Sequence, residues 1–387
     1  MEIMKFFHLS DLHIGKQLHH YNLCEEQRFI LQQIVDYAKK EHPDAILLAG
    51  DIYDVAVPSA EAVSVFDNFL TSLSEIEPAI PVMMIAGNHD SARRIDFASS
   101  ILAKNDVYIA GMSPVTPEEK VKKVTLEDAF GPVDFYLLPF VKPGYVRKLV
   151  EEEITSYDGA VKAVLSREEI DATRRNVIIS HQFYTAGASE PLISDSEMHI
   201  VGGIENVDIS CLAPFDYAAL GHIHRAQKIG EERFRYSGTP LPYSVSEALD
   251  EKVITVVELG EKGTPAVVTS HPLKPHHAVR KLTGKLEDIL EKTEYAKDFV
   301  SVTLTDEVES NRPKEQLETV FERILEIKID NARTRNLLNF TTGEVEHIDP
   351  YEAFCSFFKE MNHRELSEEE DAFLREVIQK QIGGEEE

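Results

Sequence analysis

Five β-like runs in this chain are each followed at once by side chains able to bind a metal ion, and that placement limits what it can fold into. KFFHLS (5–10) leads into Asp11 and His13, AILLAG (45–50) into Asp51 and Asp54, and PVMMIAG (81–87) into Asn88, His89 and Asp90. NVIIS (176–180) leads into His181 and Gln182, and YAALG (217–221) into His222 and His224. In an α/β sheet, ligands gather beyond the carboxyl ends of the strands, so residues distant in sequence converge on one crevice. A lone Asp-x-His is more often surface decoration, and a lone buried histidine is usually a hydrogen-bonded core residue. Five such clusters in order at strand ends are a site.

Within Asp11-Leu12-His13 and His222-Ile223-His224 the two donors stand at i and i+2, which in an extended segment point the same way. Gly50, Gly87 and Gly221, just before Asp51, Asn88 and His222, allow the backbone to turn tightly and approach an ion without a Cβ clash, or are ordinary turn glycines. The donors are nitrogen and oxygen with no sulfur, which argues against a structural zinc site and for a catalytic pair of Mn, Fe or Zn ions. Magnesium alone fits less well because it avoids imidazole.

The surrounding pattern is α/β from Lys5 to about Val268, with a further strand at DFYLLP (134–139). Between the first two strands Ile30, Ile34, Tyr37 and Ala38 form one helical face. Ser59 is a good N-cap for a second helix carrying Val63, Phe66, Phe69, Leu70 and Leu73, whose apolar breadth suits either the core or a dimer. The texture changes near Ser270, and 276–332 reads as a small β-α-β-α-β module. A third texture follows Asn339: Asp349 and Pro350 start a helix bearing Tyr351, Phe354, Phe358 and Met361. A capping box at Ser367 and Glu370 opens another with Phe373, Leu374, Val377 and Ile378, before a frayed, solvated tail.

No run approaches the ~20 apolar residues of a membrane span. The single cysteines Cys24, Cys211 and Cys355 fit a reducing cytoplasm. A net charge of −28, from 68 acidic and 40 basic residues, repels nucleic acid at long range, so any such contact must be local, metal-assisted or shared with a partner.

The ordered set DLH, GDIYD, GNHD, SHQ and GHIH resembles the calcineurin-like metallophosphoesterase superfamily. The resemblance implies an α/β fold, a β-sandwich flanked by helices, with one ion on Asp11, His13 and His224, a second on Asn88, His181 and His222, and Asp51 bridging them. Such ions sit ~3.5–4 Å apart and activate water for in-line attack on phosphorus. It also implies that His89 contacts phosphate and assists the leaving oxygen, with the carboxylate of Asp54 or Asp90 orienting its ring. The plainer role for His89 is a brace without proton transfer.

Substrate class rests on flanking sequence, because one fold hosts many activities. No Arg-Gly pair follows GDIYD, which lowers the protein-phosphatase reading, and the long chain beyond GHIH lowers that of a small cyclic-nucleotide enzyme. GDIYDVAVPSAEAV, SHQFYTAGASE, YAALGHIHRAQKI and RYSGTPLPYSVSE resemble the SbcD family. This second resemblance implies a manganese-dependent nuclease, a 3'-5' exonuclease and hairpin or single-strand endonuclease, acting as a homodimer with the SMC-like ATPase SbcC on DNA ends and hairpins. It divides the chain into a nuclease domain (1–272), an α+β DNA-capping domain (276–332) and a C-terminal helical pair (345–387) for the ATPase. His276, His277, Arg280, Lys281 and Lys285 then read as phosphate contacts or as a solvated charged face, and Arg93 and Arg94 as backbone contacts or salt-bridge partners. The remaining histidines, His8, His19, His20, His42, His199 and His271, read as surface or local hydrogen-bonding residues. The rival is a stand-alone phosphodiesterase or phosphatase for small molecules; a non-enzymatic scaffold is disfavoured because no ligand is missing.

Overall fold

The computed structural model describes residues 3–150, 154–187, 189–197, 205–307 and 312–331, with scattered positions between 351 and 374. Its core strands, in chain order, are β1 (Met4–Leu9), β2 (Ala45–Ala49), β3 (Val82–Ile85), β4 (Val107–Ala110), β5 (Lys122–Asp128), β6 (Gly131–Leu138), β7 (Arg175–His181), β8 (Tyr217–Gly221), β9 (Gln227–Ile229), β10 (Glu231–Tyr236), β11 (Val253–Leu259) and β12 (Val267–Pro272). They form two six-stranded sheets, ordered β12-β11-β1-β2-β3-β4 and β9-β10-β8-β7-β6-β5. The centre of each sheet is parallel; antiparallel strands close both edges of the second sheet and the β11-β12 edge of the first, whose other edge, β4, stays parallel.

The strands nearest the site are almost wholly buried because both faces are covered, and β2, β3 and β8 are apolar throughout. In β1, Phe6 points between the sheets, where its ring meets Phe135 and Tyr217 edge-on at 5.7 and 5.6 Å. Its neighbour Phe7 points the other way, into the cluster under α1 (Cys24–Glu41) and α2 (Ala60–Ser74). On the outer face of the second sheet, α3 (Tyr157–Leu165) buries Ala160, Val161 and Val164. The result is a β-sandwich with helices on both outer faces, as expected for its fold class. Ser59 caps α2 as expected, accepting from Ala62 N–H at 3.1 Å, while Phe66, Phe69 and Leu73 go into the core and Val63 stays exposed.

Beyond β12 the chain forms β13 (Val279–Gly284), α4 (Leu286–Leu290), β14 (Phe299–Leu304), α5 (Pro313–Leu317) and β15 (Arg323–Ile329), with the three strands in one small sheet. Met1–Thr303 and Asn311–Lys328 make one compact unit, and Leu304–Ser310 with Ile329–Glu387 make a second. Within the second, Ser367 and Glu370 form the expected capping box: Ser367 N–H donates to the Glu370 carboxylate at 2.8 Å and Glu370 N–H to Ser367 Oγ at 3.3 Å. Phe354 and Phe358 lie 6.4 Å apart, and Phe373 is exposed. Asp349, Pro350, Met361, Val377, Ile378, His199 and the tail lie outside the described residues.

Candidate metal centre

All seven expected donors meet beyond the carboxyl ends of β1, β2, β3, β7 and β8. Asp11, His13 and His224 present one ligand atom each within 4.8 Å of one another, and so do Asp11, Asp51 and His181. Asp51 Oδ2 lies 3.3 Å from His181 Nε2 and 3.6 Å from His13 Nε2, between the two groups. Asn88 Oδ1 is 2.9 Å from His181 Nε2 and 3.1 Å from His222 Nδ1.

The backbone achieves this convergence differently from the extended alternation read in the sequence. Asp11, His13, Asp51 and His222 all have positive φ, at 52°, 41°, 50° and 98°. An extended Asp-x-His segment is therefore corrected: the strand stops and the donors stand on left-handed turns. Such conformations are costly away from glycine and persist where the surroundings impose them. Here Asp11 and His13 N–H donate to the carbonyls of Gly50 and Asp51 at 3.0 and 2.9 Å, tying the turn after β1 to the turn after β2. The glycines supply room: a Cβ on Gly87 would sit 2.1 Å from Asp51 Oδ1, and one on Gly221 would sit 2.0 Å from Ala49 O.

The donor set fits divalent ions. His13 is buried, and neither ring nitrogen has a hydrogen-bond partner among the described residues. An unpaired buried polar atom costs roughly 1–3 kcal/mol, which a cation at Nε2 would remove. His181 Nδ1–H donates to Ala49 O at 2.7 Å and leaves Nε2 facing the cluster. That arrangement orients a metal-binding imidazole in the usual way.

The electrostatics of the protein alone show strong coupling. Burial lowers the His181 value, but Asp51 and Asp11 outweigh it and raise it to about 9; the same opposition, led on the raising side by Asp54, lifts His13. Burial and the neighbouring His181 push His222 down to about 3. Asp51 is held below the usual carboxylate range because His181 and His13 overcome its burial, while burial and Asp51 push Asp90 up to about 6.

His89 stands beside this cluster, half-buried, its ring 4.8 Å from that of His13. Its main-chain N–H donates to Asp51 Oδ1 at 2.9 Å. The expected carboxylate brace on its ring is corrected: His89 Nδ1–H donates to the main-chain carbonyl of Asp54 at 2.9 Å. The Asp54 carboxylate instead lies 2.9 Å from Lys16 Nζ and 3.5 Å from His13 Nδ1, while that of Asp90 accepts the N–H groups of Ile52, Tyr53 and Gly87. Asp54 thus faces a donor rather than the reacting centre.

The basic cluster expected at 276–285 is largely spent within the chain. His277 is paired with Glu26 at 2.6 Å, His276 stacks on Phe29 at 5.0 Å, and Arg280 is paired with Asp298 at 3.0 Å. Lys281 has no ion pair among the described residues and lines a cavity of about 670 Å³ with Lys16, His19, Ser196, Tyr243 and Lys328. Arg93 and Arg94 are exposed, again without an ion pair among the described residues.

Gln27 escaped the sequence reading. Buried on α1, it donates through Nε2 to the carbonyls of Leu12 and His13 at 3.2 and 2.8 Å and accepts Gly15 N–H at 2.9 Å, clamping the strained turn from behind. Its signal was a polar residue inside the apolar helical period.

The calcineurin-like phosphoesterase family matches residues 4–226, and the type 5 capsule protein repressor C-terminal domain matches residues 275–362. The chain is 30% identical to the SbcD component of nuclease SbcCD from Staphylococcus epidermidis, over 97% of this chain and 98% of that protein. It is 28% identical to the Staphylococcus saprophyticus protein of the same name, over the same 97% and 98%. A dimetal phosphatase from Danio rerio aligns at 13% identity with a TM-score of 0.40, over 69% of this chain and 99% of its own, a likeness too loose to carry any role across.

Proposed function

Since this chain belongs to the calcineurin-like phosphoesterase family, and within it to the SbcD nuclease family, we propose that it is a two-metal phosphodiesterase acting on DNA. The observation that carries this reading is the convergence of Asp11, His13, Asp51, Asn88, His181, His222 and His224, with His13 Nε2, which has no hydrogen-bond partner among the described residues, 3.6 Å from Asp51 Oδ2. Two divalent ions, manganese in our reading, polarise the phosphoryl oxygens and acidify water when bound there.

The chain's own residues then have distinct tasks. Asp11, His13 and His224 would hold one ion and Asn88, His181 and His222 the other, with the Asp51 carboxylate placed to serve both. His89, fixed through Nδ1 by the Asp54 carbonyl, offers Nε2 to a phosphoryl oxygen or to the departing one. Asp54 keeps His13 in place. The cavity beside Ser196 and Tyr243, with Lys281 and Lys16 on its wall, gives a strand of nucleic acid phosphate contacts that offset the repulsion of an acidic chain.

The reading continues to a homodimer working with an SMC-like ATPase in the cytoplasm, with 276–332 capping the DNA and 345–387 docking on the ATPase. Its reactions are 3'-5' exonuclease and hairpin or single-strand endonuclease cleavage. Among the described residues no helix is long and apolar enough to cross a membrane. End-labelled duplex and hairpin DNA, incubated with the chain and manganese with and without the partner ATPase and ATP, test the proposal. Shortened or nicked DNA supports it. Intact DNA in every mixture, beside turnover of a small phosphodiester, would favour a stand-alone small-molecule enzyme.

A further inference from the structure

Glu247 is a fully buried carboxylate with no part in the chemistry above. Its Oε2 is 2.6 Å from Lys252 Nζ, also buried, and accepts from Thr239 Oγ1 at 3.2 Å. Its Oε1 accepts from Ser244 Oγ at 3.0 Å, Ser194 Oγ at 3.3 Å and Ser196 Oγ at 2.5 Å. A buried ion pair is weak evidence of stability, since apolar residues of like volume often serve as well. This one opens in one direction.

Ser196 Oγ lies 2.7 Å from His224 Nδ1, whereas the Glu247 carboxylate is 3.8 Å from that nitrogen, too far to bond it directly. Because the Ser196 hydroxyl donates to Glu247, its oxygen accepts Nδ1–H of His224. The ring is then fixed in the tautomer whose Nε2 lone pair faces Asp11 and His13. Lys252 Nζ also donates to the His224 carbonyl at 3.1 Å, and Glu197 Oε1 accepts His224 N–H at 2.6 Å, so ring and backbone are held together.

We propose that Ser196, Glu247 and Lys252 are positioning residues for His224, a relay that sets its tautomer and ring direction and governs occupancy of the ion shared with Asp11 and His13. The inference rests on the two-ion reading and adds that the two ions depend on different supports, since His181 on the other ion is braced by Ala49 O instead.

Ser196→Ala cuts the relay while leaving the buried ion pair intact. Manganese binding to the full chain, followed by equilibrium dialysis and electron paramagnetic resonance, should show two ions on the unaltered protein. Ser196→Ala should keep one at unchanged affinity and bind the other about 10–100-fold more weakly, with loss of the spin-coupled signal. Ser196→Thr should restore it, and the paired change Glu247→Gln with Lys252→Met, which strands no buried charge, should repeat the loss. Ser196→Ala binding both ions as tightly as the unaltered protein, or weakening both equally, overturns the relay alone. An unaltered chain that holds fewer than two ions overturns the two-ion reading and the relay with it.

Discussion

At the residue scale, His89 and the donors make separable contributions. His89→Ala should lower kcat by about 10²–10⁴-fold, the usual range for a lost proton-transfer group, with both ions retained. Metal analysis beside single-turnover kinetics distinguishes this from His222→Ala, which should lose an ion outright. The raised values of His13 and His181 have a direct consequence, because an imidazole must shed its proton to bind a metal. His181 is protonated below about 9 in the metal-free protein, so manganese affinity should fall as pH drops from about 9, by up to about tenfold per unit for each proton displaced. A flat profile in calorimetric titrations between pH 6 and 9 would count against these assignments. The donors were legible in the sequence because each is a polar residue at the end of an apolar run. Gln27, Ser196, Glu247 and Lys252 were not, because what they hold is set by chain crossings that no local spacing records.

At the element scale, the site depends on strands ending in turns that ordinary residues resist. The strands β1, β2, β3, β6, β7 and β8 and the two long helices were readable because apolar period and length separate them, whereas the shorter or more polar edge strands were not. The turn conformation at Asp11 and His222 was not, since positive φ there is imposed by neighbouring strands rather than by a glycine. Close approach is the sharper constraint. In Gly87→Ala the new methyl would stand 2.1 Å from Asp51 Oδ1, so the Asp51 carboxylate must move. The expected outcome is loss of bound metal and a destabilisation of about 1–3 kcal/mol, read by metal content and urea unfolding. Unchanged metal content would show that Asp51 is not held as described. The basic stretch near 276–285 illustrates the opposite failure: composition suggested an open patch, yet His277 and Arg280 have carboxylate partners in Glu26 and Asp298.

At the scale of the whole molecule, the two sheets are clasped at the end away from the site. Arg175 on β7 pairs with Asp128 on β5 and donates to Leu259 O on β11 at 3.0 Å, while Asp128 accepts Met4 N–H of β1 at 2.7 Å. Burial would raise the Asp128 value, but Arg175 and the N–H groups of Phe130 and Met4 outweigh it and lower it. A carboxyl lowered in the folded state stabilises above its unfolded value near ~4 and loses that contribution as pH falls through the folded value. Asp128→Asn should therefore cost on the order of 3 kcal/mol at pH 7 and less at pH 3, in urea titrations at both. An equal cost at both would exclude charge as the cause.

Two ions should bind side by side beyond the strand ends. Anomalous diffraction from crystals of this chain soaked in manganese should give two peaks ~3.5–4 Å apart, one among Asp11, His13 and His224, the other among Asn88, His181 and His222, with Asp51 touching both. A single peak, or peaks away from these residues, such as at the Glu26, His276 and His277 grouping, would contradict it.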